Sequence, residues 1–193
     1  MASRAIVGVS DHGGWAVFVT VDSKGTLIDR RKVELVEPGL PRIPHHSEGR
    51  SLPLDEAVAL VLKVKASAES TSMQVLDELS KDLQIAIEGI ALRICPELPQ
   101  TIAECITDYQ ASNNADWVMY RKALAKAAEA RKWSVHWFDS RKAFTSAAAA
   151  LNTSDMDTHF AELRKKLGPP WNQDHKIAFA GALTACSLAV KRS

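Results

Sequence analysis

The chain has 193 residues, of which 46% are hydrophobic and 24% charged, with only 9 glycines and 8 prolines; this composition supports one good core and excludes a disordered or collagen-like chain. No apolar run approaches the ~20 residues of a membrane span, so we expect a soluble protein with no membrane partner. With 24 Lys and Arg against 23 Asp and Glu, the net charge of +1 excludes nucleic-acid binding driven mainly by an overall positive field.

The N-terminal region predicts three strands. Residues 5–10 and 15–21 are β-branched apolar runs separated by the turn residues 11–14, and a third run covers residues 26–36. We interpret them as an antiparallel meander. The first run is short and ends at Asp11, unlike the apolar region of a signal peptide, so a cytoplasmic location is expected.

The next segment, residues 37–54, contains four prolines and predicts a long loop. Prolines deny such a segment ladder hydrogen bonds, so we expect it to be the most mobile part of the chain. It carries His45 and His46, which are adjacent and therefore poorly placed to chelate one ion from a regular element. Surface histidines are the favoured interpretation, and the loop's role as a lid, a partner surface or a binding edge stays open.

The remaining chain alternates helices with single strands. Helical spacing begins at Asp55, a short strand is predicted at residues 84–88, and an amphipathic helix around Trp117 precedes a strand at residues 133–138. Three further helices follow, the last from about Asp174 to Val190. The order βββαβαβα, completed by two more helices, predicts an α/β, ribonuclease-H-like domain over residues 1–193, with a five-stranded mixed sheet flanked by helices.

Three acidic residues lie beside apolar strand or helix segments, where burying a carboxylate costs free energy. Asp11 ends the first strand, Glu88 ends the predicted fourth strand, and Asp174 begins the last helix. If the first and fourth strands are neighbours, their carboxylates share a cleft and repel one another. Hard oxygen ligands of this kind select Mg²⁺ or Mn²⁺, and two such ions can drive phosphodiester hydrolysis. Each acid also has an ordinary structural role, respectively in a turn, at a strand end and as a helix cap.

Four segments resemble RuvC-type Holliday junction resolvases. Residues 6–17 resemble their opening strand with its metal-binding Asp, residues 85–88 their strand with a metal-binding Glu, and residues 174–183 their last helix; residues 133–143 match a later strand and helix. The resemblance implies a metal-dependent nuclease acting on branched DNA as a homodimer. It assigns metal binding and catalysis to Asp11, Glu88 and Asp174, with His175 as an accessory ligand or proton-transfer group.

One departure from the resolvase pattern leaves two hypotheses open. The last helix of that family offers two ligands three residues apart, and Ile177 occupies the second position here. The first hypothesis is a Mg²⁺- or Mn²⁺-dependent nuclease that hydrolyses nucleic-acid phosphodiesters. The second is a non-catalytic ribonuclease-H-like binding or assembly module with a degenerate metal site. Convergence of the three carboxylates distinguishes them.

Overall fold

The computed structural model describes residues 4–190, so the first and last three residues of the predicted domain lie outside the described part. Its centre is a five-stranded sheet with the strand order β3-β2-β1-β4-β5. The strands are β1 (Arg4–Asp11), β2 (Trp15–Asp22), β3 (Leu27–Glu34), β4 (Ala86–Arg93) and β5 (Ser134–Phe138).

The strand pairing confirms the predicted mixed sheet. The first three strands form the antiparallel meander, with β1 paired to β2 and β2 to β3. The later strands β4 and β5 run parallel to β1 and to each other. Such parallel pairs require crossover connections, and helices supply them here. The carboxyl ends of β1, β4 and β5 therefore meet at one edge of the sheet.

Helices cover both faces of this sheet. One layer contains α1 (Leu54–Leu83), α2 (Ile102–Thr107) and α3 (Tyr109–Ala130), and the other contains α4 (Ala143–Leu151), α5 (Met156–Leu167) and α6 (Gln173–Val190). The short α2, which a Thr101–Glu104 capping box begins, is absent from the predicted order. No helix within residues 4–190 is long and apolar enough to span a membrane.

Strand β1 contributes to both hydrophobic cores because its side chains alternate between the faces. Val7 and Val9 are fully buried against α1 and α3. On the other face α6 crosses β1 at Gly8, so closely that a Cβ there would lie 1.8 Å from the carbonyl oxygen of Ala178. The same alternation decides which neighbours the polar residues at the end of β1 reach.

The proline-rich segment, predicted as a loop, packs as an arm against α1 and α3, and its mobility stays a prediction. Its Glu37 amide donates to Ser67 Oγ of α1 at 2.9 Å, and Tyr120 of α3 donates to the Arg42 carbonyl at 2.8 Å. His45 is buried. Side chains of the two neighbouring helices thus supply the hydrogen bonds that the prolines deny to a strand ladder.

The fourth strand is longer than predicted, and this changes the position of Glu88. β4 begins at Ala86 and continues through four residues, Gly89 to Leu92, that are buried in the sheet, ending at Arg93. Glu88 is therefore near the start of the strand. Its charge does not end the strand because the residue is partly exposed there and pairs with Arg4 at 3.0 Å.

Candidate functional site at the carboxyl edge of the parallel strands

The carboxyl edge of the parallel strands is where open α/β sheets usually bind ligands. Here β1 ends in Asp11 and β4 ends in Arg93, while Arg121 approaches the same place from α3. Asp11 is only 1% exposed. A carboxylate buried to this extent must be compensated by positive charge.

Two arginines compensate the Asp11 carboxylate. Arg93 Nε donates to Asp11 Oδ1 at 2.9 Å, and Arg121 Nε donates to Oδ2 at 2.8 Å. Arg93 Nη2 also donates to the Asp11 carbonyl oxygen, and Arg121 Nη1 to the Ile94 carbonyl at 3.0 Å. We call Asp11, Arg93 and Arg121 the arginine–aspartate cluster. Its net charge is positive, and both carboxylate oxygens are engaged by guanidinium groups.

Asp174 belongs to a separate cluster on the opposite face of the sheet. Ser10 precedes Asp11 and therefore points to the α6 side, where its Oγ donates to Asp174 Oδ1 at 2.9 Å. His12 Nε2 lies 2.7 Å from the same oxygen, and the His12 ring stacks on Trp15 at 4.1 Å between centroids. Asp174 thus holds the β1–β2 turn to the start of α6.

Glu88 is distant from both clusters. The β1–β4 register pairs Ala5 with Ile87 and Ile6 with Gly89, with an irregularity at this point. Glu88 is thus level with Ile6, and Asp11 is five residues further along β1, or roughly 16 Å at ~3.3 Å per residue. The expectation that Asp11 and Glu88 share a cleft is wrong, although their strands are neighbours.

The residues present do not fit the implied Mg²⁺ or Mn²⁺ site. Within residues 4–190, no group of three or more His, Cys, Asp or Glu side chains is arranged to hold a metal ion. Asp11 is bonded to arginines, Asp174 lies on the other face, and Glu88 is at the far end of β4.

His175 lies in the first turn of α6 and is buried on the α6 face of the sheet, opposite to the arginine–aspartate cluster. Its Nδ1 lies 2.6 Å from Asn172 Oδ1, and its ring packs near Trp171. Burial, assisted by the charge of Arg30, lowers the pKa of His175, while Asp174 opposes the shift. The neutral imidazole is therefore favoured. Ile177 packs against the hydrophobic core of the α6 layer.

A cleft opens beside the arginine–aspartate cluster at the ends of β4 and β5. Its volume is about 350 Å³, and three arginines line it together with Ser140 and Asp139: Arg93, Arg121 and Arg141. Arg141 Nε pairs with Asp139 at 3.2 Å, and the Arg141 side chain is 88% exposed. Such an exposed pair is weak and can exchange its partner. We call this space the arginine cleft.

The arginine cleft does not follow from the sequence pattern, in which the acids at strand ends are the more prominent candidates. The signal was present in Arg141, one of the adjacent basic residues after the fifth strand. Arg93 is recognisable only once β4 is known to extend beyond Glu88. Trp137 of β5, which is 45% exposed, precedes the cleft residue Phe138 and faces the opposite side of the sheet by strand alternation.

Of the two adjacent histidines, which are predicted as surface residues, His45 is buried and His46 is partly buried. Asp116 of α3 accepts hydrogen bonds from the backbone amides of His45 and His46 at 3.0 and 3.1 Å. His45 Nδ1 lies 2.7 Å from Asp116 Oδ1, and both side chains are buried. These bonds fasten the arm to α3.

Comparison with solved structures identifies the fold class as ribonuclease-H-like. The structure of Thermus thermophilus RuvC in complex with a Holliday junction substrate matches 97% of this chain and 96% of its own, with a TM-score of 0.54 and 13% sequence identity. A second Thermus thermophilus RuvC structure covers the same shares, with a TM-score of 0.49 and 16% identity. No protein-family model and no curated protein sequence matches the chain.

Proposed function

We propose that this protein is a non-catalytic ribonuclease-H-like module that binds nucleic acid at the arginine cleft. The observation that carries the proposal is the arginine–aspartate cluster. At the sheet edge where acids were expected to gather, the buried Asp11 carboxylate is bonded to Arg93 and Arg121. An acid used in this way orients cations toward a ligand instead of holding a metal ion.

The chemistry of the cleft suits a phosphodiester backbone. Guanidinium groups bind phosphate through paired, charge-assisted hydrogen bonds. Asp11 restricts the orientation of Arg93 and Arg121, which lowers the entropy lost when phosphate binds. The exposed Arg141 can exchange Asp139 for a phosphate oxygen. Trp137, on the other face of the edge strand β5, offers a surface on which a base of a strand passing this edge can stack. The positive charge needed to bind phosphate is thus concentrated at the cleft, although the net charge of the whole chain is only +1.

The similarity to solved structures agrees with this partner class. One similar RuvC structure is described as a complex with a Holliday junction substrate. For the present chain we propose that nucleic-acid binding accompanies the shared fold and that hydrolysis does not. The resemblance in sequence also implies a homodimer, which remains a proposal that sedimentation analysis would check.

Fluorescence anisotropy with a labelled four-way DNA junction and a labelled single strand tests the proposal. Arg141→Gln and Trp137→Ala are expected to weaken binding by about tenfold each, since a charged hydrogen bond or a stacked base contributes ~1–3 kcal/mol. The matched control is Lys166→Gln, a change at an exposed cation of α5, which should leave affinity nearly unchanged. Losing Arg141 should also reduce the slope of log affinity against log salt by about one.

Two outcomes would overturn this function. Absence of saturable binding at low salt removes nucleic acid as the partner. Metal-dependent cleavage of the junction by the wild type, abolished in Asp11→Asn, would establish the nuclease hypothesis in its place. Circular dichroism of that variant confirms that it is folded before the assay is interpreted.

A further inference from the structure

A second cavity lies between α1, α3 and the segment that follows β4, and the proposed function does not use it. Its volume is about 570 Å³, within the range of small-molecule sites in proteins. Its wall includes the apolar side chains of Val61, Ile102 and Met119. We call it the α1–α3 cavity.

One buried polar group of this wall has an unused nitrogen. His45 lines the α1–α3 cavity, and its side chain is 6% exposed. The Asp116 side chain is 1% exposed, and its Oδ1 lies 2.7 Å from His45 Nδ1. The same oxygen accepts a hydrogen bond from the His45 backbone amide. The one side-chain hydrogen bond of His45 to any of residues 4–190 is made through Nδ1, which leaves Nε2 without a partner in this part of the chain. Because a carboxylate only accepts hydrogen bonds, Nδ1–H of His45 donates to Asp116, and the neutral ring presents Nε2 as an acceptor.

The cavity wall also carries three lysines against two glutamates, Glu69 and Glu97, so positive charge is in excess. Lys65 of α1 and Lys122 of α3 line the cavity, and neither forms an ion pair with any described residue. The third lysine, Lys126, is paired with Glu69 at 2.5 Å. Lys122 follows Asp116 by six residues on α3, which places these two positions about 9 Å apart along the helix axis.

We propose that the α1–α3 cavity binds a small organic anion. Lys65 and Lys122 hold the anionic group, the apolar wall covers the body of the molecule, and His45 accepts a hydrogen bond from a hydroxyl or amino group at the other end. The arrangement has the features of a specific pocket, in which a mainly apolar wall carries a few placed polar groups. It shares only Pro96 with the arginine cleft, and the proposal does not rest on nucleic-acid binding.

Anilinonaphthalene sulfonate is a suitable probe because it combines an aromatic body, an amino group and one negative charge. Fluorescence titration of the folded full chain is expected to show one saturable site. The double variant Lys65→Gln/Lys122→Gln should weaken this binding by about tenfold or more, since hydrogen bonds to charged groups contribute ~1.5–3 kcal/mol. His45→Gln should weaken it too, without altering binding of DNA.

The control is Lys63→Gln/Lys166→Gln, which removes the same charge from exposed lysines that do not line the cavity. Equal weakening by the control pair would show that only general charge matters and would overturn the proposal. Lack of a saturable site, or unchanged affinity in Lys65→Gln/Lys122→Gln, would do the same. If His45→Gln fails to fold, the lysine variants decide the matter, because both side chains extend from exposed helix positions.

Discussion

At the scale of single residues, Asp11 illustrates how one buried acid is compatible with two chemistries. A carboxylate at a sheet edge requires cationic partners, and either metal ions or guanidinium groups can provide the charge. Which of the two neutralises the carboxylate depends on the side chains that the fold places next to it. Here Arg93 and Arg121 occupy both carboxylate oxygens.

Asp11→Asn is expected to lower the free energy of unfolding by about 3 kcal/mol or more, because it leaves two largely buried guanidinium groups without their counter-charge. Glu88→Gln is the matched control. It removes a carboxylate from an exposed pair with Arg4 and should cost no more than about 1 kcal/mol. Urea unfolding of both variants measures the difference, and equal losses would show that Asp11 is not the buried charge centre described above.

His175 gives the native state a defined pH dependence. Burial lowers its pKa below the ordinary value of 6.5, so the unfolded chain binds a proton more readily than the native chain. Its stabilising contribution is fully present above the unfolded-state pKa, decreases as the pH falls below about 6.5, and levels off once the native histidine is also protonated.

The variant His175→Gln should therefore show a smaller loss of stability than the wild type between about pH 7.5 and about pH 5. Urea denaturation at a series of pH values provides the measurement. A steeper acid dependence in the variant, or an identical one, would contradict a depressed imidazole pKa at this position.

At the scale of elements, the position of β4 was the decisive error of the sequence interpretation. The sequence predicts the apolar run of β4 but places its end at Glu88, whereas the strand ends at Arg93. Glu88 therefore lies near the start of β4 instead of at its end, and it is too far from Asp11 to belong to the same site. Pairing with β1 and β5 on both sides sets this boundary, and local composition does not contain that information.

Helix α6 crosses β1 so closely at Gly8 that the crossing leaves no space for a side chain at this position. Gly8→Ala would bring its Cβ to 1.8 Å from the Ala178 carbonyl oxygen, so α6 must shift away from the sheet. We expect a loss of ~3 kcal/mol or more, at or above the upper end of ordinary overpacking.

Gly39→Ala is a useful comparison for Gly8→Ala. Gly39 has a φ of +88°, and a Cβ added there would meet no other atom within 4 Å, so only backbone strain of about 1–2 kcal/mol is expected. Thermal unfolding of the two variants separates close packing from backbone strain. A milder effect at Gly8 than at Gly39 would contradict the tight crossing.

At the scale of the whole molecule, the prediction that remains most informative concerns divalent metal. A metal site used by the native state would stabilise it by about 2.7 kcal/mol at 100 times the dissociation constant, which moves the melting temperature by several degrees. Because the arginine–aspartate cluster already neutralises Asp11, we expect millimolar Mg²⁺ or Mn²⁺ to leave the melting temperature unchanged. A clear upward shift that Asp11→Asn removes would contradict this expectation.

The strand and helix pattern by itself determined the architecture of this protein. The β-branched runs with turns between them predicted the meander, and the later alternation of strands and helices predicted a mixed, ribonuclease-H-like sheet. These features follow from local hydrophobic period and from the requirement that parallel strands be joined by crossovers. Both depend on order along the chain, which a single sequence displays.

Only the tertiary structure decided what the polar residues do. Ser10 and Asp11 are adjacent in sequence, yet strand alternation sends them to α6 and α3, where their partners are Asp174 and Arg121. Glu88 was separated from Asp11 by the register of β4 on β1. The partners of a buried charge come from distant parts of the chain, and strand register and sheet face determine which of them are in contact with it. For this reason the sheet edge at which the sequence predicts a metal centre carries an arginine cleft in the folded protein.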